Sequence, residues 1–366
     1  MRNVVRRRAV LATGVAAVLA TAGLGLGAGY SAASARHVAA GTVSARTVRA
    51  EAKVTKIAIA LPAKPLDYGW NQQGLLAAQS VSSAVGAKLT TLSNIGYNNT
   101  EALLAQLAQG GAQLIIAHAS GYDTAAQQVA ERYHVPVITY DVPTQLVPGL
   151  VSNITTSAQE AAYLAGILAA KTTKTDTVGI VISASDSNWF EMSGGFAAGV
   201  ASVNPKIKVL FAEIGPANYD DSAGGKRVAS TLISANADVI FGMGDDASFG
   251  YLQAISTAKA GHKVWYIGDI GNMGPIDKQH VLLSSEMWSF TTAFKTMVQQ
   301  IENGTFGKKG YNLDLANGGV YMLKTSYIPA AVWSEMQAAG KGIISGKIKV
   351  PVATTQAEVQ KLVKAA

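Results

Sequence analysis

Cysteine is absent from the 366 residues. That excludes a disulfide scaffold, a thiol nucleophile and an N-terminal lipid-modified cysteine. Charge is also sparse, at 14% of residues, and aromatics make up 7%. No basic stripe interleaved with aromatics appears, which argues against nucleic-acid binding. The five histidines, His37, His118, His134, His262 and His280, show no metal-ligand spacing. There is no Walker A loop, no G-x-S-x-G elbow and no G-x-G-x-x-G after the first expected strand. Enzymatic chemistry, metals and cofactors are therefore not expected. Beyond the first thirty-odd residues nothing is long and apolar enough to span a bilayer.

What is present begins with an export signal. Arg2, Arg6, Arg7 and Arg8 precede an Ala/Leu/Val/Gly run from Ala9 to about Tyr30, and Ala33-Ser34-Ala35 supplies a small-residue cleavage pattern. The expectation is a signal peptide over residues 1–35, cleaved after Ala35. The competing reading is an uncleaved membrane anchor, which the Gly- and Ala-rich run suits less well. Arg7-Arg8 also fits a loose twin-arginine pattern. Residues 36–53 are small, polar and basic, and read as a flexible leader. The four arginines of the signal account for four of the seven net positive charges, so the mature chain carries +3.

The mature chain is long enough for two domains, and nearly half its residues are apolar. Short apolar runs at 57–61, 88–93, 114–117 and 137–140 alternate with helical patterns at 70–85, 100–110 and 124–133. The cycle restarts with helices at 157–171, 191–203, 224–235 and 247–258 around strands at 178–182, 208–211, 239–241 and 264–267. A further strand at 281–284, a helix at 291–303, a strand at 319–323 and a helix near 355–364 follow. This α/β alternation predicts two doubly wound Rossmann-like lobes joined by a hinge. The N-terminal lobe is expected over 54–150 plus about 286–317, and the C-terminal lobe over 151–285 plus about 318–366. The connections are expected near 142–152 and again near Ser285. Ligands of open α/β sheets sit beyond the carboxyl ends of the strands, so function is expected in strand-end loops facing an interlobe cleft.

Those loops carry Asp67, Trp70 and Asn71 after the first strand, Asp141 after the fourth, and Trp189 after 178–182. Gly244 and Asp245 follow 239–241, Asp269 follows 264–267, and Trp288 follows Ser284. Each has an ordinary structural alternative: Asp or Asn as a helix cap, Trp as packing, Gly as a turn residue. Together, flat aromatic faces with carboxylates and amides suit a planar heterocycle bearing hydroxyl or amino groups.

The segment Asp67-Tyr68-Gly69-Trp70-Asn71-Gln72 resembles the D-x-G-[FW]-N-Q first loop of the basic membrane protein (BMP) family, the PnrA-like substrate-binding proteins of ABC transporters. Glu160-Ala161-Ala162-Tyr163-Leu164-Ala165-Gly166, the stretch 171–179, Phe196-x-x-Gly199-Val200 with Asn204-Pro205, 237–241 and 267–269 extend the likeness across about residues 55–325. The resemblance implies a type I periplasmic-binding fold, a purine nucleoside or nucleobase as ligand and an ABC permease as partner. The protein would be periplasmic or extracellular and meet the membrane only through that transporter. It further implies Trp70 as base-stacking ring with Asn71 beside it, Asp141 and Asp269 as sugar-hydroxyl contacts, Gly244-Asp245 lining the second lobe and Trp189 as a second stacking face. Many members are lipoproteins, and this chain lacks the cysteine. Many nucleoside binders carry a lysine where Met287-Trp288 stands here, which leaves room for a free nucleobase. The alternatives are a secreted sensor of the same fold for another polar molecule, or a nucleoside-processing enzyme.

Overall fold

The computed structural model describes residues 53–365, and the expected signal and most of the leader lie outside them. Strands β1 (Lys56–Ala60), β2 (Lys88–Leu92), β3 (Leu114–Ala117), β4 (Val137–Tyr140) and β5 (Val151–Thr156) alternate with helices α1 (Trp70–Val85), α2 (Thr100–Gln109) and α3 (Asp123–Tyr133). Then come α4 (Ala158–Thr172), β6 (Thr177–Ile182), α5 (Ser187–Val203), β7 (Lys208–Glu213), α6 (Ser222–Ser234), β8 (Val239–Met243), α7 (Ala247–Ser256), β9 (Trp265–Gly268) and β10 (Leu282–Trp288). The chain closes with α8 (Thr291–Glu302), β11 (Tyr311–Leu313), β12 (Val320–Met322), α9 (Ala330–Ile344) and α10 (Gln356–Ala365).

Two six-stranded sheets result, ordered β11-β5-β4-β3-β1-β2 and β12-β10-β9-β8-β6-β7. All pairings are parallel except β10 with β12. The inner strands β3, β4, β6 and β8 are buried along their whole length, as strands covered on both faces must be. Both sheets reverse their winding direction at one place, between β1 and β3 and between β6 and β8. Crevices open at such reversals, beyond the strand ends.

The lobe boundaries differ from those expected. Val151–Thr156 is a strand of the first sheet, so the second lobe starts at Ser157 and not at 151. Its interior is polar, with Ser152 and Asn153 buried and bonded to the Lys309 carbonyl and the Thr139 side chain, which hides it from a search for apolar runs. β10 runs on through 286–288, which therefore belong to the second sheet. Among the described residues the chain crosses between lobes three times, at Ser157, at Ser289–Phe290 and between β11 and β12. Backbone hydrogen bonds stitch these crossings together, Ser157 N–H to Leu313 at 2.8 Å and Ser289 N–H to Gly319 at 2.8 Å. Helix α4 is buried nearly all round over Ala158–Ala169, except at Gln159 and Glu160. Its neighbour α5 approaches so closely that a Cβ at Gly199 would fall 2.1 Å from the Tyr163 carbonyl oxygen, so only glycine fits.

Candidate functional site

Loop 61–69, after β1, is a framed turn. The Asp67 carboxylate accepts from the N–H groups of Gly69 (3.2 Å), Asn71 (2.8 Å) and Gln72 (3.0 Å), and from the Asn71 amide (2.8 Å). The Asn71 carbonyl oxygen in turn accepts from Ala63 N–H at 3.2 Å. Both residues are buried, and their bonds satisfy the free N–H groups at the start of α1. Asp67 and Asn71 thus build the loop, and neither lines the cavity beside it.

Trp70 does. Its indole N–H donates to the His118 carbonyl at 2.9 Å, and its ring stacks on the His118 imidazole at 4.3 Å and 18°. One face of the indole is therefore taken by protein. Burial holds His118 neutral, with its pKa lowered to about 3. Its Nε2 lies 3.0 Å from the Trp70 carbonyl, which only accepts, so Nε2 carries the proton and Nδ1 accepts from the Tyr140 hydroxyl at 2.7 Å. Tyr140, Phe290 and Trp288 meet Trp70 edge to face at 5.1, 5.3 and 6.1 Å.

A cavity of about 290 Å³ opens against Trp70. The first lobe contributes Tyr97 and the 119–121 turn; the second contributes Asp186, Asn188, Trp189 and Tyr219 from the β6 side, Asp245 after β8, and Ile270 and Trp288. The loops at both winding reversals thus converge on one space. Of the residues expected from sequence, Trp70, Trp189, Asp245 and Trp288 line it. Asp141 stands one step behind, accepting from Ser120 at 2.6 Å, and Gly244 and Asp269 back Asp245 and Trp189. Tyr97, Ser120, Tyr219 and Ile270 were not singled out. Ser120 follows β3, on the other side of the first winding reversal from Trp70, a clue that strand order alone would have given.

Acidity dominates the electrostatics. Asp186 caps α5 by accepting from Asn188 N–H at 2.9 Å, and burial with the Asp141 charge raises its pKa to about 6. Burial, Asp141 and Asp186 raise Glu191 to about 7. Asp245 is pushed well up by burial and then by Asp67, Asp220, Asp269 and Asp246. Burial also raises Asp141, Asp269 and Glu286. Glu286 Oε1 accepts from the Trp288 indole at 3.0 Å, while its Oε2 has no partner among the described residues. Neither described ion pair, Arg132–Glu101 nor Lys171–Glu335, involves a cavity residue, and the lining contains no lysine or arginine. Among the described residues no group of His, Cys, Asp and Glu is disposed to hold a metal ion.

The chain has relatives in sequence and in fold. The chain is 31% identical over 219 residues to the "ABC transporter nucleoside-binding protein BmpA" of Lactococcus lactis subsp. cremoris, a match covering 55% of this chain and 60% of that protein's length. It is 23% identical to "Basic membrane protein D" of Borreliella burgdorferi, over 78% of this chain and 84% of the relative. The crystal structure of an ABC transporter solute-binding protein from Aeropyrum pernix superposes with a TM-score of 0.72 at 19% identity, covering 85% of this chain and 99% of the other. The fold is that of type I periplasmic binding proteins. The family model for PnrA-like ABC transporter substrate-binding proteins matches residues 54–354, and the chain belongs to that family.

Proposed function

We propose that this protein is an extracytoplasmic receptor that binds a purine nucleoside or nucleobase in the interlobe cavity and delivers it to an ABC importer. One observation carries the reading. The loops at both winding reversals line one cavity walled by Trp70, Trp189 and Trp288, with Asp186 and Asp245 on its wall and no lysine or arginine. Ring faces suit a planar base, and carboxylates accept from base N–H groups or ribose hydroxyls. About 290 Å³ lies at the lower edge of the roughly 300–1,000 Å³ common for small-molecule pockets, and a second pocket of about 460 Å³ adjoins it at Tyr97, Tyr219 and Asp245. The nucleoside-binding function in the Lactococcus relative's name supports the same class. Phosphorylated forms fit poorly, because their charge would meet the Asp186 carboxylate and find no lysine or arginine in the lining. Met287-Trp288, standing in the segment where the family resemblance implies a lysine, keeps the free base within the proposal. Turnover is not part of the proposal: the Ser120 hydroxyl bonds to Asp141 with no histidine in the cavity lining, and among the described residues no group of His, Cys, Asp and Glu is disposed to hold a metal ion.

The direct test is mass spectrometry of the small molecules released from freshly purified protein. A stoichiometric purine base or nucleoside is the expected result. A stoichiometric sugar, amino acid or phosphorylated compound would replace the reading.

A further inference from the structure

Tyr68 lies between the framing residue Asp67 and the cavity residue Trp70, and neither the cavity nor the loop frame uses it. Its backbone is left-handed, φ 56°, uncommon outside glycine, asparagine and aspartate. The Asp67 bonds on either side hold it so. The ring is thereby carried away from its own lobe into the apolar cluster of the second lobe. It meets Phe249 of α7 edge to face at 6.3 Å and 89°. Beside it, the Tyr68 carbonyl presses on Gly271 of the loop after β9. A Cβ there would fall 1.8 Å from that oxygen and 3.2 Å from the Gln73 side-chain nitrogen. All these contacts are made between lobes.

Both halves of the contact are neighbours of cavity walls. Trp70 follows Tyr68 by two residues, and Ile270 precedes Gly271. Ile270 is itself left-handed at φ 57°, an outlier for a β-branched residue, and its carbonyl accepts from Trp288 N–H at 3.0 Å. Strain of this kind persists where surrounding contacts hold it, and it collects at sites that switch.

We propose that Tyr68 and Gly271 form the latch of lobe closure. The ring on Phe249 and the bare backbone at Gly271 hold the cleft shut, and so set how long a ligand stays without choosing which ligand enters. Binding to a protein whose closed state is only partly populated weakens in proportion to that population. The latch therefore acts on affinity through the open–closed equilibrium, whatever the ligand.

The absence of cysteine makes the test direct. Cysteines introduced at the exposed positions Glu131 and Lys259, one in each lobe, accept a fluorophore pair that reports interlobe distance. Distances are measured without ligand and with saturating adenosine, in wild type and in Tyr68→Ala, Tyr68→Phe and Gly271→Ala backgrounds. Tyr68→Ala and Gly271→Ala are expected to move the population toward the longer distance. The ring pair alone accounts for roughly a twofold to tenfold shift in the equilibrium. Tyr68→Phe is expected to stay as wild type, because the hydroxyl makes no hydrogen bond among the described residues. Thermal melting of Tyr68→Ala should remain within about 2 °C of wild type, as for a residue outside its own lobe's core. Gly271→Ala acts from the opposite lobe, and so tests the latch even if Tyr68→Ala folds poorly. Unchanged distances in both variants, with and without adenosine, would overturn the proposal. So would opening in Tyr68→Phe equal to that in Tyr68→Ala.

Discussion

The carboxyl groups around the cavity hold protons more tightly in the folded chain than in the unfolded one. Asp186 rises from 3.8 to about 6 and Glu191 from 4.5 to about 7, in both cases through burial first and neighbouring carboxylates second. Between pH 4 and 7 the native state therefore binds more protons, and its stability falls as pH rises through that window. The ligand-free protein should melt higher at pH 5 than at pH 7.5. Asp186→Asn keeps an oxygen to cap Asn188 N–H but loses the charge, so it should flatten that slope and raise the melting temperature at pH 7.5. A melting temperature that climbs with pH, or a slope untouched by Asp186→Asn, would contradict the assignment. Trp70 invites a second experiment at this scale. With one face on His118, its ring offers the ligand what remains. Trp70→Ala should cost a bound base roughly 1–3 kcal/mol, a tenfold to hundredfold loss. Stability should fall by less than the 3–5 kcal/mol typical of a fully buried tryptophan, since Trp70 is only part-buried. Titration and melting curves of Trp70→Ala and Trp70→Phe separate the two effects. Wild-type affinity in Trp70→Ala would remove Trp70 from the site.

At the level of elements, legibility followed chemistry. Strands such as β3, β6 and β8 are continuous apolar runs between turn signals, and their positions were readable to within two residues. β5 was not, because its buried half carries the polar Ser152 and Asn153, satisfied by hydrogen bonds, and its end is two half-buried threonines. Helix α9 was passed over because Gly340 and Gly342 interrupt a sequence whose helicity comes from packing on α4. The loop Asp67–Gln72 shows where motif reading stops. That these residues act together was legible, but their division of labour was not. Which oxygen caps a helix, which ring faces the cavity and which ring crosses to the other lobe depend on the backbone turn at Tyr68, which residue types alone do not specify.

At the scale of the whole molecule, the two sheets repeat one winding order, and each reversal contributes loops to the shared cavity. Three crossings bonded to one another form the hinge, and the Tyr68 contact bridges the lobes apart from them. A cavity built this way should grip its ligand without transforming it. The measurement that bears most directly on this is calorimetric titration of the protein with adenosine, guanosine, inosine, uridine, adenine and the corresponding 5′-monophosphates, with each mixture afterwards resolved by chromatography. The account predicts saturable binding of at least one purine nucleoside or base at one per chain, monophosphates weaker by about a hundredfold or more, and every compound recovered intact. No heat from any purine, equal binding of the monophosphates, or multiple turnovers to base and sugar would contradict it.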